Sequence, residues 1–209
     1  MTNILLIVFI ISLLYFAIAN RLMTYVKILA LQGILLFGVA FIELIEINII
    51  NLIFILFETI VVKAIAIPLF MRYIIKKNKI TREAEPYVPY FVSLIVITAI
   101  IVVTFFIGNY IQEPNLNKIY FIAALSALVS GLYFISTRRK IITHVICYAM
   151  IENGVFILSL AVGHNMPMLV NLGILLDVFV SIFLLGMFVN KIGDVINESD
   201  VTQLSNIKD

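Results

Sequence analysis

The chain has 209 residues, 63% of them hydrophobic and 12% charged, with a formal net charge of +2 and no tryptophan. A water-soluble domain of this length cannot bury so much apolar surface, and the basic residues sit in short loops instead of the stripe that nucleic-acid binding needs. Its one cysteine, Cys147, excludes an internal disulfide and a cysteine metal cage.

In lipid only helices or closed barrels satisfy the backbone, and a spanning helix takes roughly 20 mainly apolar residues. The apolar runs predict an all-α, polytopic transmembrane helix bundle of about seven helices. They lie near Ile4 to Ala19, Val26 to Ile45, Leu52 to Ile75, Val88 to Tyr110, Lys118 to Ile135, Ile142 to Val162 and Met168 to Val189. The first run has no basic segment before it and is followed by Arg21, so it reads as an anchoring helix and not as a cleaved leader.

Such a helix count puts Arg21, Lys27, Arg72, Lys76, Lys77, Lys79, Arg82, Arg138, Arg139, Lys140, Lys191 and Lys208 on one side and Lys118 on the other. The positive-inside rule then makes the first side cytoplasmic, with the N-terminus outside. The expected location is the inner, cytoplasmic membrane. Membrane lipid is a partner on this reading, and nucleic acid is not.

The sequence also repeats itself at a shift of about 119 residues. Leu14-Tyr15-Phe16 answers Leu132-Tyr133-Phe134, Asn20-Arg21 answers Arg138-Arg139, and Ile55-Leu56-Phe57-Glu58 answers Ile174-Leu175-Leu176-Asp177. The organisation this predicts is a first three-helix repeat over residues 1–75, a cytoplasmic loop and connector helix over 76–117, a second repeat over 118–189 and a cytoplasmic tail over 190–209. Because four helices separate corresponding members, the two repeats are parallel. Chance likeness among Leu/Ile-rich segments is the competing explanation.

Ionisable side chains at membrane depth cost about 3 kcal/mol each on insertion scales, so they are functional candidates by default. Glu58 and Lys63 fall in the third helix, Glu152 in the sixth and Asp177 in the seventh. Glu58 and Lys63 are five apart, a rotation of about 140° at 3.6 residues per turn, which makes them poor partners for each other. His144, Tyr148 and Glu152 recur every fourth residue and form a polar stripe about 12 Å long, a candidate proton entry line. The competing reading has His144 and Tyr148 bonding neighbouring helices. Asp177 has Ser181 one turn later, and its repeat mate Glu58 lies at matched depth. Glu43 and Glu46 belong to the outer interface.

No Cys-x-x-Cys-His, spaced cysteines or phosphate loop is present in the sequence. The chain is therefore expected to bind no cofactor and to do no bond chemistry alone.

Arg138-Arg139 after a helix, Asn153-Gly154 in the next and an acidic group midway along the third resemble the small three-helix K component of complex I and its relative, the C component of Mrp-type multisubunit sodium/proton antiporters. The K component carries its second-helix carboxylate about one turn before the asparagine, whereas Glu152 immediately precedes Asn153. Over nearly the whole chain, Tyr148-Ala149-Met150-Ile151-Glu152-Asn153-Gly154 followed by Phe156, with Glu58 to Pro68 and Lys63 within it, resembles hydrogenase-4 component E.

That resemblance implies a membrane-arm subunit of a formate hydrogenlyase-type, group 4 hydrogenase. It would stand beside antiporter-like membrane subunits, a quinone-site-like membrane subunit and peripheral hydrogenase subunits that hold the Ni-Fe and Fe-S centres. Glu152, Asp177, Glu58 and Lys63 would then continue a buried polar axis. Membership of a multisubunit cation/proton antiporter and a purely structural spacer role in the membrane are the competing expectations.

Overall fold

The computed structural model describes residues 1–44, 57–77, 86–114, 116–162 and 186. In chain order its elements are α1 (Thr2–Ile18), α2 (Leu22–Leu44), a π-helix (Glu58–Ala66) running directly into α3 (Ile67–Lys77), α4 (Tyr90–Tyr110), α5 (Lys118–Thr137) and α6 (Ile141–Val162). There is no β-strand among the described residues, and the chain is an all-α bundle. The expected seventh helix and the tail over 190–209 lie outside the described residues, Gly186 apart.

Among the described residues, four helices are long and apolar enough to cross a membrane: Leu22–Ile42 within α2, then α4, α5 and Ile141–Ala161 within α6. α1 is apolar and shorter. Apolar side chains point outward as well as inward, as they do where lipid is the solvent: Ile4, Ile7, Ile11 and Tyr15 on α1 and Phe91, Val102, Phe105 and Phe106 on α4 are all exposed. The inward faces are smaller and more polar. α4 turns Ser93, Ile97, Thr104 and Gly108 inward. Thr104 shares a 2.6 Å hydrogen bond with Ser126 of α5, and the Tyr133 hydroxyl donates to Ser93 at 3.1 Å. Interhelical bonds of this kind are each worth about 1 kcal/mol within a membrane.

α5 and α6 form a tight hairpin across the three residues Arg138 to Lys140. α1 packs on α2, α4 and α5, while α2 packs on α1, the π-helix, α3 and α6. α2 therefore lies between the front and the back of the bundle. Phe16 and Phe134, which the sequence shift pairs, are in contact with ring centroids 4.7 Å apart.

The third expected helix differs from an ordinary α-helix. Over Glu58–Ala66 each turn takes an extra residue, and the Ile67 amide bonds back to Val62. Pro68 follows at once. An α-helix through this point would set the proline ring against the carbonyl four residues earlier, and proline has no N–H to bond that carbonyl. Wider winding before the proline is one way a helix accommodates it. The 140° separation expected between positions 58 and 63 assumes 3.6 residues per turn, so it does not hold here.

A buried lysine and glutamate held by three helices

Lys63 of the π-helix and Glu152 of α6 meet in the interior. The ammonium lies 3.3 Å from Glu152 Oε1, with the two side chains 3% and 5% exposed. The same ammonium sits 4.7 Å from the centroid of the Phe156 ring, one α6 turn beyond Glu152. Glu152 Oε2 is buried and has no hydrogen-bond partner among the described residues. Lys63 thus rests between a carboxylate and an aromatic face, while one carboxylate oxygen is left able to take a proton.

The close approach depends on glycine. A Cβ built on Gly33 of α2 would lie 2.7 Å from the Ala64 amide nitrogen and 2.9 Å from the Lys63 carbonyl carbon. Real side chains do not approach backbone so closely, so only glycine lets the π-helix lie against α2 at this height. On α6, Gly154 plays a similar part toward α5: its Cβ would meet Ala127 at 3.0 Å and the Ala124 carbonyl oxygen at 3.2 Å.

Beside the pair runs a hydrogen-bonded chain of uncharged groups. The Asn153 amide donates to Gln32 Oε1 at 3.2 Å, Gln32 Nε2 donates to Ser12 Oγ at 2.9 Å, and Ser12 donates to the Phe9 carbonyl at 2.6 Å. Ser12, Gln32 and Asn153 are all buried. Hydropathy and charge do not single out Ser12 or Gln32, because a serine or a carboxamide barely interrupts an apolar run. The usable signal is Gln32-Gly33 in the middle of helix two, a carboxamide and a glycine side by side as in Asn153-Gly154.

The remaining candidates are placed differently. The His144 ring nitrogen Nε2 is 2.8 Å from the Arg138 carbonyl oxygen, which ties His144 to the loop that opens its own helix. Tyr148 is half-buried on α6 between His144 and Glu152. Glu58 is the first residue of the π-helix, and Asp177 lies outside the described residues. Among the described residues no three His, Cys, Asp or Glu side chains gather as metal ligands.

A second buried cation reads in the sequence only as a loop charge. Arg138 is 1% exposed. Its guanidinium carbon lies 5.8 Å from the Tyr25 ring of α2, 5.0 Å from Tyr90 of α4 and 5.7 Å from Phe134 of α5. Nη2 donates to the Ala17 carbonyl of α1 at 3.1 Å. Nε and Nη1 have no hydrogen-bond partner among the described residues. Its neighbour Arg139 is exposed and stacks on Tyr87 at 4.4 Å.

No family model matches the chain, and no solved structure matches it. It is 24% identical over 187 residues to a protein of Mycobacterium tuberculosis described as uncharacterized protein Rv0085, a similarity that spans 88% of this chain and 85% of that protein.

Proposed function

We propose that this chain is an integral membrane-arm subunit of a membrane-bound, formate hydrogenlyase-type hydrogenase related to complex I, and that its buried charges take part in proton or ion translocation coupled to electron transfer. The observation that carries the reading is the Lys63–Glu152 pair, buried at the junction of α2, α6 and the π-helix. Burying two charges costs several kcal/mol per ion, and replacing such a pair by apolar residues is often neutral or stabilising. A pair kept at that cost on a π-helical segment, a geometry frequent at functional sites, fits a working role. The resemblance of Tyr148 to Gly154 and of Glu58 to Pro68 supplies the type of complex; as an analogy it adds to the pair and does not replace it.

On this reading Glu152 takes and releases the proton through its unbonded oxygen. Lys63 supplies the positive charge that favours release, and Glu58, Asp177, His144 and Tyr148 extend the path. The chain binds no cofactor. Nickel-iron and iron-sulfur centres belong to peripheral hydrogenase subunits, and antiporter-like and quinone-site-like membrane subunits flank it in the inner membrane. Its N-terminus faces outward and its C-terminus the cytoplasm, with two parallel three-helix repeats joined by α4.

Mass spectrometry of the complex that co-purifies in mild detergent, together with its nickel and iron content, tests the assignment. A hydrogenase large subunit with nickel and iron is the expected result, whereas antiporter subunits without redox metal move the assignment to a cation/proton exchanger. Glu152→Gln, nearly isosteric, is expected to abolish most proton translocation by the assembled complex in vesicles. Normal translocation by an assembled mutant leaves the spacer reading in its place.

A further inference from the structure

Three contacts close a triangle around the charged pair. Consecutive residues on an α-helix point about 100° apart. On α2, Gln32 therefore faces α6 while Gly33 faces the π-helix. On α6, Asn153 faces α2 while Glu152 faces the π-helix. The sides of the triangle are Gln32 to Asn153, Gly33 to the backbone at Lys63 and Ala64, and Lys63 to Glu152. Fixing the first two sides sets the third.

The first side has a defined polarity. Ser12 commits its hydroxyl hydrogen to the Phe9 carbonyl, so toward Gln32 it accepts. Gln32 must then turn its NH2 to Ser12 and its oxygen to α6, where Asn153 meets it as a donor. Apolar packing would tolerate a small rotation of α6 about its axis; a directional bond between buried carboxamides does not. Toward α5, α6 meets only apolar and small groups at this level among the described residues, Gly154 on Ala124 and Ala127 and Ile151 on Gly131, contacts that carry no directional bond.

We propose that Gln32 is a positioning residue: anchored by Ser12, it grips Asn153 and so rotates α6 to the angle at which Glu152 meets Lys63. This deepens the proposed function and rests on it in taking the pair as the functional group. Among the described residues, Lys63 is the charged side chain placed against Glu152 from another helix. α2 presents Gln32 and Gly33 at this level, α5 presents Ala124 and Ala127, and Tyr148 and His144 are the titratable groups on α6 itself.

The full-length protein in lipid nanodiscs is titrated by pH-difference infrared spectroscopy, with the Glu152 carboxyl band identified by its loss in Glu152→Gln. Separating the charges by an ångström or two weakens their attraction enough to change proton affinity roughly tenfold, about one pH unit. Gln32→Leu and Gln32→Asn are each expected to move the Glu152 midpoint by about that much. The exchange Gln32→Asn with Asn153→Gln keeps the combined reach of the two carboxamides and is expected to bring the midpoint back.

An unmoved midpoint in Gln32→Asn overturns the proposal. So does a folded exchange variant that stays shifted, and these two variants decide the matter if Gln32→Leu does not fold. The two readings fail separately. Midpoints that behave as expected beside a Glu152→Gln complex that still translocates protons keep the positioning role and remove the proton-carrying one.

Discussion

Among the described residues, the bundle buries two cations in opposite ways. Lys63 has a carboxylate 3.3 Å away, whereas Arg138 is surrounded by three aromatic rings and one backbone carbonyl, with no salt bridge to a described acidic group. The chemistry of the two side chains makes the difference meaningful. A lysine facing a glutamate can be neutralised by moving one proton between them, so its environment has two charge states within reach. A guanidinium stays charged at any working pH, and rings answer it only with their fixed quadrupoles. The first arrangement can respond to a proton; the second can only hold helices together. Arg138 links α1, α2, α4 and α5, which is what a structural pin would do.

The sharpest way to test that contrast is at the pair. Glu152→Leu takes away the carboxylate 3.3 Å from the buried Lys63 ammonium and is expected to lower stability by about 3–5 kcal/mol. Adding Lys63→Met should recover most of the loss, measured by thermal unfolding in detergent. A double variant as unstable as the single one would mean that packing, and not charge, is at stake.

At the cage a smaller effect is expected. Arg138→Gln gives up the ring contacts and should cost about 2 kcal/mol, near the value for a desolvated cation over aromatic rings. Proton translocation by the assembled complex should be unchanged. Loss of translocation in a complex of normal stability would break the division between the responsive and the fixed cation. The mildest change is Tyr25→Phe, which removes the hydroxyl that donates to the Ala19 carbonyl at 2.5 Å. It keeps the ring under Arg138, and a loss of about 1 kcal/mol in the same unfolding assay is expected.

These residues also mark how far the sequence can be read. All-α architecture follows from apolar length alone, and α4, α5 and α6 begin or end within a few residues of the expected limits. Lys63 and Glu152 are each visible because a charge in an apolar run is conspicuous. Their pairing is not, since it depends on how the chain winds before Pro68 and on Gly33 letting that segment approach α2. Gln32 is hidden because hydropathy averages over a single carboxamide. Arg138 misleads for a different reason: its place between two apolar runs says loop, while its burial comes from Tyr25, Tyr90 and Phe134, side chains supplied by three different helices.

The cage around Arg138 also constrains the order of assembly. Its walls come from α2, α4 and α5, and its one backbone acceptor from α1, so the cage cannot exist while the α5–α6 hairpin stands by itself. In a partly assembled chain this guanidinium remains wet and open to arginine-directed reagents such as phenylglyoxal. Its disappearance from the reactive pool therefore serves as a clock for the moment at which the separate helices become one bundle.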